Sequence, residues 1–161
     1  MLVAHYIGNH EKDTRLVRAG WYMTKLAQKG PYSHVTHNEA IHEEFSDGTV
    51  QIASASIRDN GVRSRRTRLN PAHWMIVDVP HWNIEQSIDL LRKTNGSPYD
   101  VRGALATQLP GAPQQGRYFC SQWVCMPYLK AAATFGPHHV CAITLSLGTD
   151  VTDTFFGERN K

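Results

Sequence analysis

Two runs with the alternating side-chain pattern of β-strands flank the turn sequence Ser46-Asp47-Gly48. The first run covers residues 32–45 and the second covers residues 49–56. A short Asp-Gly turn between two such runs is a strong local signal for a β-hairpin. This predicted hairpin constrains the fold most, because it sets an antiparallel pair of strands in the middle of the first half of the chain, and other elements must pack on it.

The alternation also predicts which side chains of the first strand share a face. His37, Glu39 and Ile41 lie on the face with the larger apolar groups, so we expect this face to point toward the core. Hairpin geometry pairs positions whose numbers sum to about 95. This register places Ser56 opposite Glu39 and Ser54 opposite Ile41.

The remaining segments predict further strands and several helices around the hairpin. Residues 2–7 and 74–79 are typical of strands. Helical spacing, capping residues and Gly or Pro stops predict helices over residues 14–29, 84–95, 101–108, and from residue 120 to near residue 127. Residues 140–147 fit either a strand or a helix. We therefore expect an α+β fold, a small antiparallel sheet with packed helices, as a single domain over residues 1–161.

Composition excludes several classes of protein. With 41% hydrophobic and 19% charged residues, the chain is typical of a globular domain. It contains no apolar run of 18 residues, and its first residues lack the pattern of a signal peptide, so we expect no membrane span. Three cysteines without a framework spacing predict free thiols and a cytoplasmic location. A net charge of +3 makes nucleic acid an improbable partner.

Cys120 is the candidate nucleophile. It stands where a loop rich in Gly and Pro, residues 110–116, gives way to a helix-compatible run. A thiol at the start of a helix meets unpaired backbone N–H groups, which favour the reactive thiolate. Cys125 and Cys141 have no such setting and are predicted to be structural.

A thiol nucleophile also needs a base, and the base needs an orienting group. The hairpin supplies two candidate bases in tandem, in Ser33-His34-Val35 and Thr36-His37-Asn38. His37 is preferred because it shares its face with Ile41, whereas a β-bulge would reset the alternation and favour His34. The candidates for the orienting group are Ser56, Ser54, Gln51 and Glu39.

Several short motifs occur in an order that resembles a known family. They are Gly30-Pro31-Tyr32-Ser33-His34-Val35, Glu39-Ala40-Ile41-His42, Arg58-Asp59-Asn60-Gly61-Val62-Arg63, Pro98-Tyr99-Asp100 and Phe119-Cys120-Ser121-Gln122. Together they resemble the circularly permuted papain-like cysteine hydrolases of the NlpC type, a branch that includes lecithin–retinol acyltransferase-like proteins and many small bacterial and phage proteins. The resemblance covers about residues 30 to 130 and implies a permuted papain-like sheet, with a cysteine helix packed on it and a Cys–His pair.

Three further features complete the predicted site. The backbone N–H of Cys120 and the hydroxyl of Tyr99 are the candidate donors to an oxyanion. Arg63 and Arg65 lie in an arginine-rich strand, which either binds an anionic ligand or simply protects a sheet edge. His34, His37 and His42 alternate in direction along the strand and no metal-binding motif is present, so we expect neither a metal nor another cofactor.

The residues supply a candidate nucleophile and base, and the resemblance implies the reaction class: a thiol hydrolase that cleaves an amide bond in a peptide, isopeptide or cell-wall peptide through an acyl-enzyme. Nothing in the residues decides between a peptide and an acyl substrate, so an acyltransferase or lipid esterase on the same fold is an open alternative. Two other classes also stay open. One is a non-catalytic module that binds an acidic partner through the strand Arg58–Arg68, and the other is a zinc-binding structural protein.

Overall fold

A computed structural model of the protein describes residues 1–8, 18, 22, 28, 30–107, 113–130 and 132–157. In these residues six strands form one sheet: β1 Leu2–Tyr6, β2 His37–Glu44, β3 Val50–Ser56, β4 Gly61–Thr67, β5 Trp74–Asp78 and β6 Thr149–Asp150. Their order is β4-β3-β2-β1-β5-β6, and every neighbouring pair is antiparallel.

The helices of the described residues are α1 Ile84–Thr94, α2 Val101–Ala106, α3 Cys120–Cys125, α4 Pro137–Leu147 and α5 Thr152–Gly157, with a short 3₁₀ turn over Ala132–Thr134. The segment that fitted strand or helix is therefore helical, as part of α4. The helix predicted over residues 14–29 lies outside the described residues, apart from positions 18, 22 and 28. The α+β class predicted from the sequence is confirmed. Among the described helices, none is both long enough and apolar enough to cross a membrane.

Apolar side chains cover both faces of the sheet, so the prediction of one core-facing side was too simple. On one face Ala40 and Ala53 pack with Trp123 and Val124 of the cysteine helix α3. On the other face Ile41 belongs to a second cluster, which also contains Val50, Ile52, Phe155 and Phe156. The central strands are therefore buried between two layers, with α3 on one side and α5 on the other.

The register of the hairpin differs from the predicted one. Ala40 pairs with Ala53 and Ile41 with Ile52, so these positions sum to 93 instead of 95. An irregularity between Ile41 and Glu43 shifts the register by one residue. The pairs next to the turn, Glu43–Gln51 and Glu44–Val50, already sum to 94, and the irregularity lowers the sum by one more. The predicted pairs Ser56–Glu39 and Ser54–Ile41 were therefore wrong.

The cysteine helix begins at the predicted residue. Phe119 is extended, with φ −114° and ψ 163°, and Cys120 is the first helical residue. The helix ends at Cys125, just before Pro127, whose ring and missing N–H disfavour a longer helix. All six residues of α3 are buried, so the helix is held by packing over its whole length.

Candidate active site

The thiol of Cys120 meets the sheet where two central strands separate. The ladder between β2 and β3 stops at Ala40 and Ala53, whereas β3 continues to pair with β4 as far as Ser56 and Gly61. The backbone N–H of Asn38 is thereby free of the ladder and donates a hydrogen bond to the Cys120 side chain. The N–H of Ser121 is a second backbone donor to the same sulfur. The side chain of Cys120 is thus buried against two fixed donors.

His37 stands at the first position of β2, next to Cys120. Its Nε2 lies 2.8 Å from Oε1 of Glu39, and its ring also interacts with the thiol through a side-chain hydrogen bond. Because Nε2 is occupied by Glu39, Nδ1 is the nitrogen left for the sulfur. The imidazole therefore connects a buried carboxylate to the thiol.

Glu39 is in turn held by an arginine from the edge strand. Arg63 reaches across β3 and places its two terminal nitrogens 2.7 Å from the two carboxylate oxygens of Glu39. Its Nε donates to Oδ2 of Asp59 at 2.6 Å. A planar guanidinium that bonds a carboxylate through two parallel contacts fixes its orientation as well as its charge. The order of contacts is Asp59, Arg63, Glu39, His37 and Cys120.

These contacts shift three pKa values. Burial alone raises the pKa of Cys120, but the charge and hydrogen bond of His37, together with the N–H groups of Asn38 and Ser121, bring it below its ordinary value. Burial lowers the pKa of His37, and Glu39 and Cys120 outweigh this and raise it to about 9. For Glu39, burial raises the pKa, yet His37 and Arg63 lower it to about 2. The favoured state near neutral pH is a thiolate beside an imidazolium.

The other two thiols are in the opposite situation. Burial raises the pKa of Cys125 above its usual range and raises the pKa of Cys141 to about 12. The described environment thus favours the thiolate at Cys120 alone among the three cysteines.

Tyr99 also contacts the thiol of Cys120. The segment Pro98–Asp100 is bridged to Gly61 on one side and to Tyr118 on the other, which carries Tyr99 to the start of α3. Burial, followed by the charge of Cys120 and a hydrogen bond between the two side chains, raises the pKa of Tyr99 well above its ordinary value. The backbone N–H of Cys120 also bonds the Tyr99 oxygen. Both candidate oxyanion donors therefore converge next to the sulfur.

The remaining candidates bond groups other than the His37 imidazole. His34 is exposed in the turn before β2. The hydroxyl of Ser56 bonds Asp59, and Gln51 donates to Ser64 at 2.5 Å, so neither of them contacts His37. Ser54 bonds the carbonyl of Ala55 at 3.3 Å. Of the four candidate orienting groups, Glu39 is the one in contact with the imidazole.

The two arginines predicted to bind a ligand have different surroundings. Arg63 forms ion pairs with Glu39 and Asp59. This internal role was not among the two sequence hypotheses, which were binding of an anionic ligand and protection of a sheet edge. Arg65 lies on the same face of the edge strand, and its buried Nε has no hydrogen-bond partner in the part of the chain that the structure describes. The edge position of β4 agrees with the prediction of a charged edge strand.

The reason given from the sequence for preferring His37 was wrong. His37 has the same alternation as Ile41, but the cysteine helix packs on the opposite face, against Ala40. His37 contacts Cys120 because it occupies the end of β2, where the sheet opens and the thiol lies at the strand terminus.

Several contributors to this cluster were missed by the sequence analysis. Asp59 entered the sequence analysis only as part of a motif that resembles the family, and Asn38 only as a neighbour of His37. His5, which binds the side chain of Asn38 at 2.7 Å, was read as part of a short strand. A histidine in the middle of an apolar strand was the available signal, since a buried imidazole needs partners.

The described residues contain no group of three or more His, Cys, Asp or Glu side chains arranged to hold a metal ion.

No family model, curated protein or solved structure matches the chain.

Proposed function

We propose that this chain is a thiol hydrolase of the permuted papain-like type, which cleaves an amide bond through Cys120 and His37. The observation that carries the proposal is the contact between this thiol and this imidazole, with the pKa of the sulfur lowered and that of the ring raised to about 9. Perturbed titratable groups of complementary role in mutual contact are typical of catalytic sites. The order of the motifs that resemble NlpC-type hydrolases supports the same reaction class.

The first half of the proposed reaction forms an acyl-enzyme. The Cys120 thiolate attacks the carbonyl carbon, and the carbonyl π electrons move to oxygen. That oxygen replaces the hydrogen bond between the N–H of Cys120 and the oxygen of Tyr99, and the N–H and the Tyr99 hydroxyl then stabilise its charge. As the intermediate collapses, the C–N bond breaks and His37 donates its proton to the departing amine. A thioester at Cys120 and a neutral His37 remain.

The second half uses water. Neutral His37 removes a proton from a water molecule, and the resulting hydroxide attacks the thioester carbonyl. His37 is again imidazolium once it holds that proton. The C–S bond then breaks, the thiolate of Cys120 is restored, and the acid product departs. Glu39, held by Arg63, keeps the imidazole in one orientation and stabilises its positive charge in the resting state.

The exposed side chains beside Tyr99 favour a second candidate, an acyltransferase or lipid esterase. Val101 and Leu105 lie one helical turn apart on α2, directly after Tyr99, and both are exposed. Ile57 in the β3–β4 turn is exposed as well. Apolar side chains beside an oxyanion position suit the acyl chain of an ester better than a charged peptide.

A panel of activity-based probes separates these possibilities. Probes carrying amide-like peptide electrophiles and probes carrying alkyl ester-like electrophiles are incubated with the protein, and the modified residue is located by mass spectrometry. The proposal predicts labelling at Cys120 and none in Cys120→Ala. Preference for peptide probes supports the amidase, whereas preference for long alkyl probes supports the acyl alternative. Labelling spread equally over Cys120, Cys125 and Cys141 would overturn the proposed function.

A further inference from the structure

A buried polar chain leads from the sheet interior to the backbone N–H that faces the nucleophile. Asn38 Nδ2 lies 2.7 Å from Nδ1 of His5, and His5 Nε2 lies 2.9 Å from Oγ1 of Thr144. Thr144 donates to the carbonyl oxygen of Cys141 at 3.0 Å. His5, Asn38 and Thr144 are all fully buried. The chain therefore joins β1, β2 and α4 behind the Cys120 site.

The directions of these hydrogen bonds are fixed by the chemistry of the partners. The amide nitrogen of Asn38 also contacts the carbonyl oxygen of Pro137 at 3.4 Å, so it is the donor end of the amide that faces both Pro137 and His5. His5 Nδ1 then accepts, and its proton is on Nε2, which donates to Thr144. The Thr144 hydroxyl accepts this hydrogen bond and donates its own proton to the carbonyl oxygen of Cys141. One neutral tautomer of His5 thus gives a partner to both ring nitrogens, to the amide nitrogen of Asn38 and to the Thr144 hydroxyl.

This series of hydrogen bonds leaves one buried atom without a partner. Asn38 Oδ1 has no hydrogen-bond partner in the described part of the chain. Burying an unpaired acceptor costs about 1–3 kcal/mol, so the amide is poorly explained as a device for stability alone. The amide nitrogen of Asn38 binds His5 of β1 and Pro137 of α4, and these two contacts anchor the side chain from two sides.

That anchoring acts on the residue whose main chain contacts the thiol. The β2–β3 ladder has already ended at Ala40, so β3 does not hold the N–H of Asn38, although β2 is still paired with β1 here, with His5 opposite Asn38. The same peptide group joins Asn38 to His37. Fixing the Asn38 side chain therefore sets both the direction of the N–H toward Cys120 and the position of the His37 imidazole.

We propose that His5, Asn38 and Thr144 are positioning residues that hold the backbone N–H of Asn38 on the Cys120 thiolate. This inference rests on the proposed function, in which that thiolate is the nucleophile. It assigns a role at the site to three buried residues whose side chains have no described contact with the reacting atoms.

The test is the pH dependence of Cys120 alkylation by iodoacetamide, followed residue by residue by mass spectrometry. The titratable groups that face the thiol are His37, Tyr99 and Cys125, and the test variants retain all three. Thr144→Val removes the hydroxyl that binds His5. Asn38→Leu removes the amide that binds His5 and replaces it with a side chain of similar size. We expect each variant to raise the midpoint by about 0.5–1 pH unit, because a hydrogen bond to the thiolate is weakened.

Matched variants separate positioning from general loosening. Thr144→Ser keeps the hydroxyl and should retain the wild-type midpoint. Thr94→Val removes another buried threonine hydroxyl, which donates to Leu90 and accepts from Trp123 of α3, and should leave the midpoint unchanged. In the ¹⁵N spectrum, His5 should show the Nε2–H tautomer in the wild type and lose this pure tautomer in Thr144→Val.

The outcomes distinguish this inference from the proposed function. An unchanged midpoint in folded Asn38→Leu, or in Thr144→Val if Asn38→Leu does not fold, overturns the positioning role. If His37→Gln raises the midpoint in the same experiment, the proposed function survives that failure. If the wild-type midpoint is already that of an ordinary thiol and His37→Gln does not change it, the proposed function itself fails.

Discussion

Oε1 of Glu39 lies 2.8 Å from Nε2 of His37, while both oxygens of the same carboxylate are bound by Arg63 at 2.7 Å. The carboxylate is fully buried, so it interacts with the imidazole in surroundings of low dielectric constant, where charges act strongly on each other. Arg63 prevents Glu39 from taking the proton, because it holds the carboxylate in its ionised form. The orienting group of the proposed site is thus an arginine-backed glutamate.

Replacing Glu39 by Gln is expected to weaken both the site and the fold. The imidazolium of His37 loses its charged partner, so the midpoint of Cys120 alkylation should rise. Arg63 stays largely buried with Asp59 as its remaining carboxylate partner, and breaking the buried pair with Glu39 costs about 3 kcal/mol. Urea unfolding and the alkylation profile measure the two effects. Glu43→Gln, at an exposed position on the same strand, should change stability by less than about 0.5 kcal/mol; equal effects of the two variants would contradict the assignment.

Removing the hydroxyl of Tyr99 should slow the chemical step. In Tyr99→Phe one of the two donors to the developing oxyanion is absent, and we expect kcat to fall about 10²-fold with little change in KM. Tyr118→Phe is the matched control, since Tyr118 precedes the same helix and packs against the core. A kcat for Tyr99→Phe equal to that of the control would leave Tyr99 as a packing residue.

Cys120→Ala should abolish turnover while the protein remains folded. Alanine occupies the space of the thiol, so the free energy of unfolding should change by no more than about 1–2 kcal/mol. Cys125→Ala and Cys141→Ala remove equally buried thiols that the proposed reaction does not use, and they should retain activity. Turnover by Cys120→Ala at the wild-type rate would exclude this residue from the mechanism.

The buried His5 predicts a loss of stability in acid. Burial lowers the pKa of His5 to about 3, from an ordinary value of 6.5 in the unfolded chain. Below pH 6.5 His5 therefore binds a proton in the unfolded state but not in the folded state, and the free energy of unfolding falls as the pH decreases toward 3. Between pH 7 and pH 5 this histidine alone should lower the free energy of unfolding by about 2 kcal/mol.

The measurement is the free energy of unfolding in urea at several pH values. His5→Gln should be less stable than wild type at pH 7 but should lose less stability between pH 7 and pH 5. His81→Gln, a change at an exposed histidine, should keep the wild-type slope. A slope unaltered by His5→Gln would show that this side chain titrates in the folded protein much as it does in the unfolded chain.

Local patterns were sufficient to predict the hairpin, the arginine-rich edge strand and the start of the cysteine helix, because turn residues, alternation and the Gly- and Pro-rich sequence before Cys120 act over a few residues. The register was not predictable in this way, since the irregularity between Ile41 and Glu43 depends on what packs on each strand. The roles of Arg63 and Asn38 depend on contacts across the sheet and with α4, which no local pattern encodes. Glu39 was among the candidates because it lies two positions from His37 and shares its face.

The most direct test of the account is the pH dependence of Cys120 alkylation in the wild type, His37→Gln and His34→Gln. We expect the wild-type midpoint to lie well below the ordinary thiol value of about 8.5, and Cys120 to react near neutral pH well before Cys125 and Cys141. His37→Gln removes the cationic partner and should raise the midpoint, whereas His34→Gln, a change at an exposed position, should leave it where it is. A wild-type midpoint at or above 8.5, or one that His37→Gln does not change, would contradict the claim that Cys120 and His37 form a thiolate–imidazolium pair.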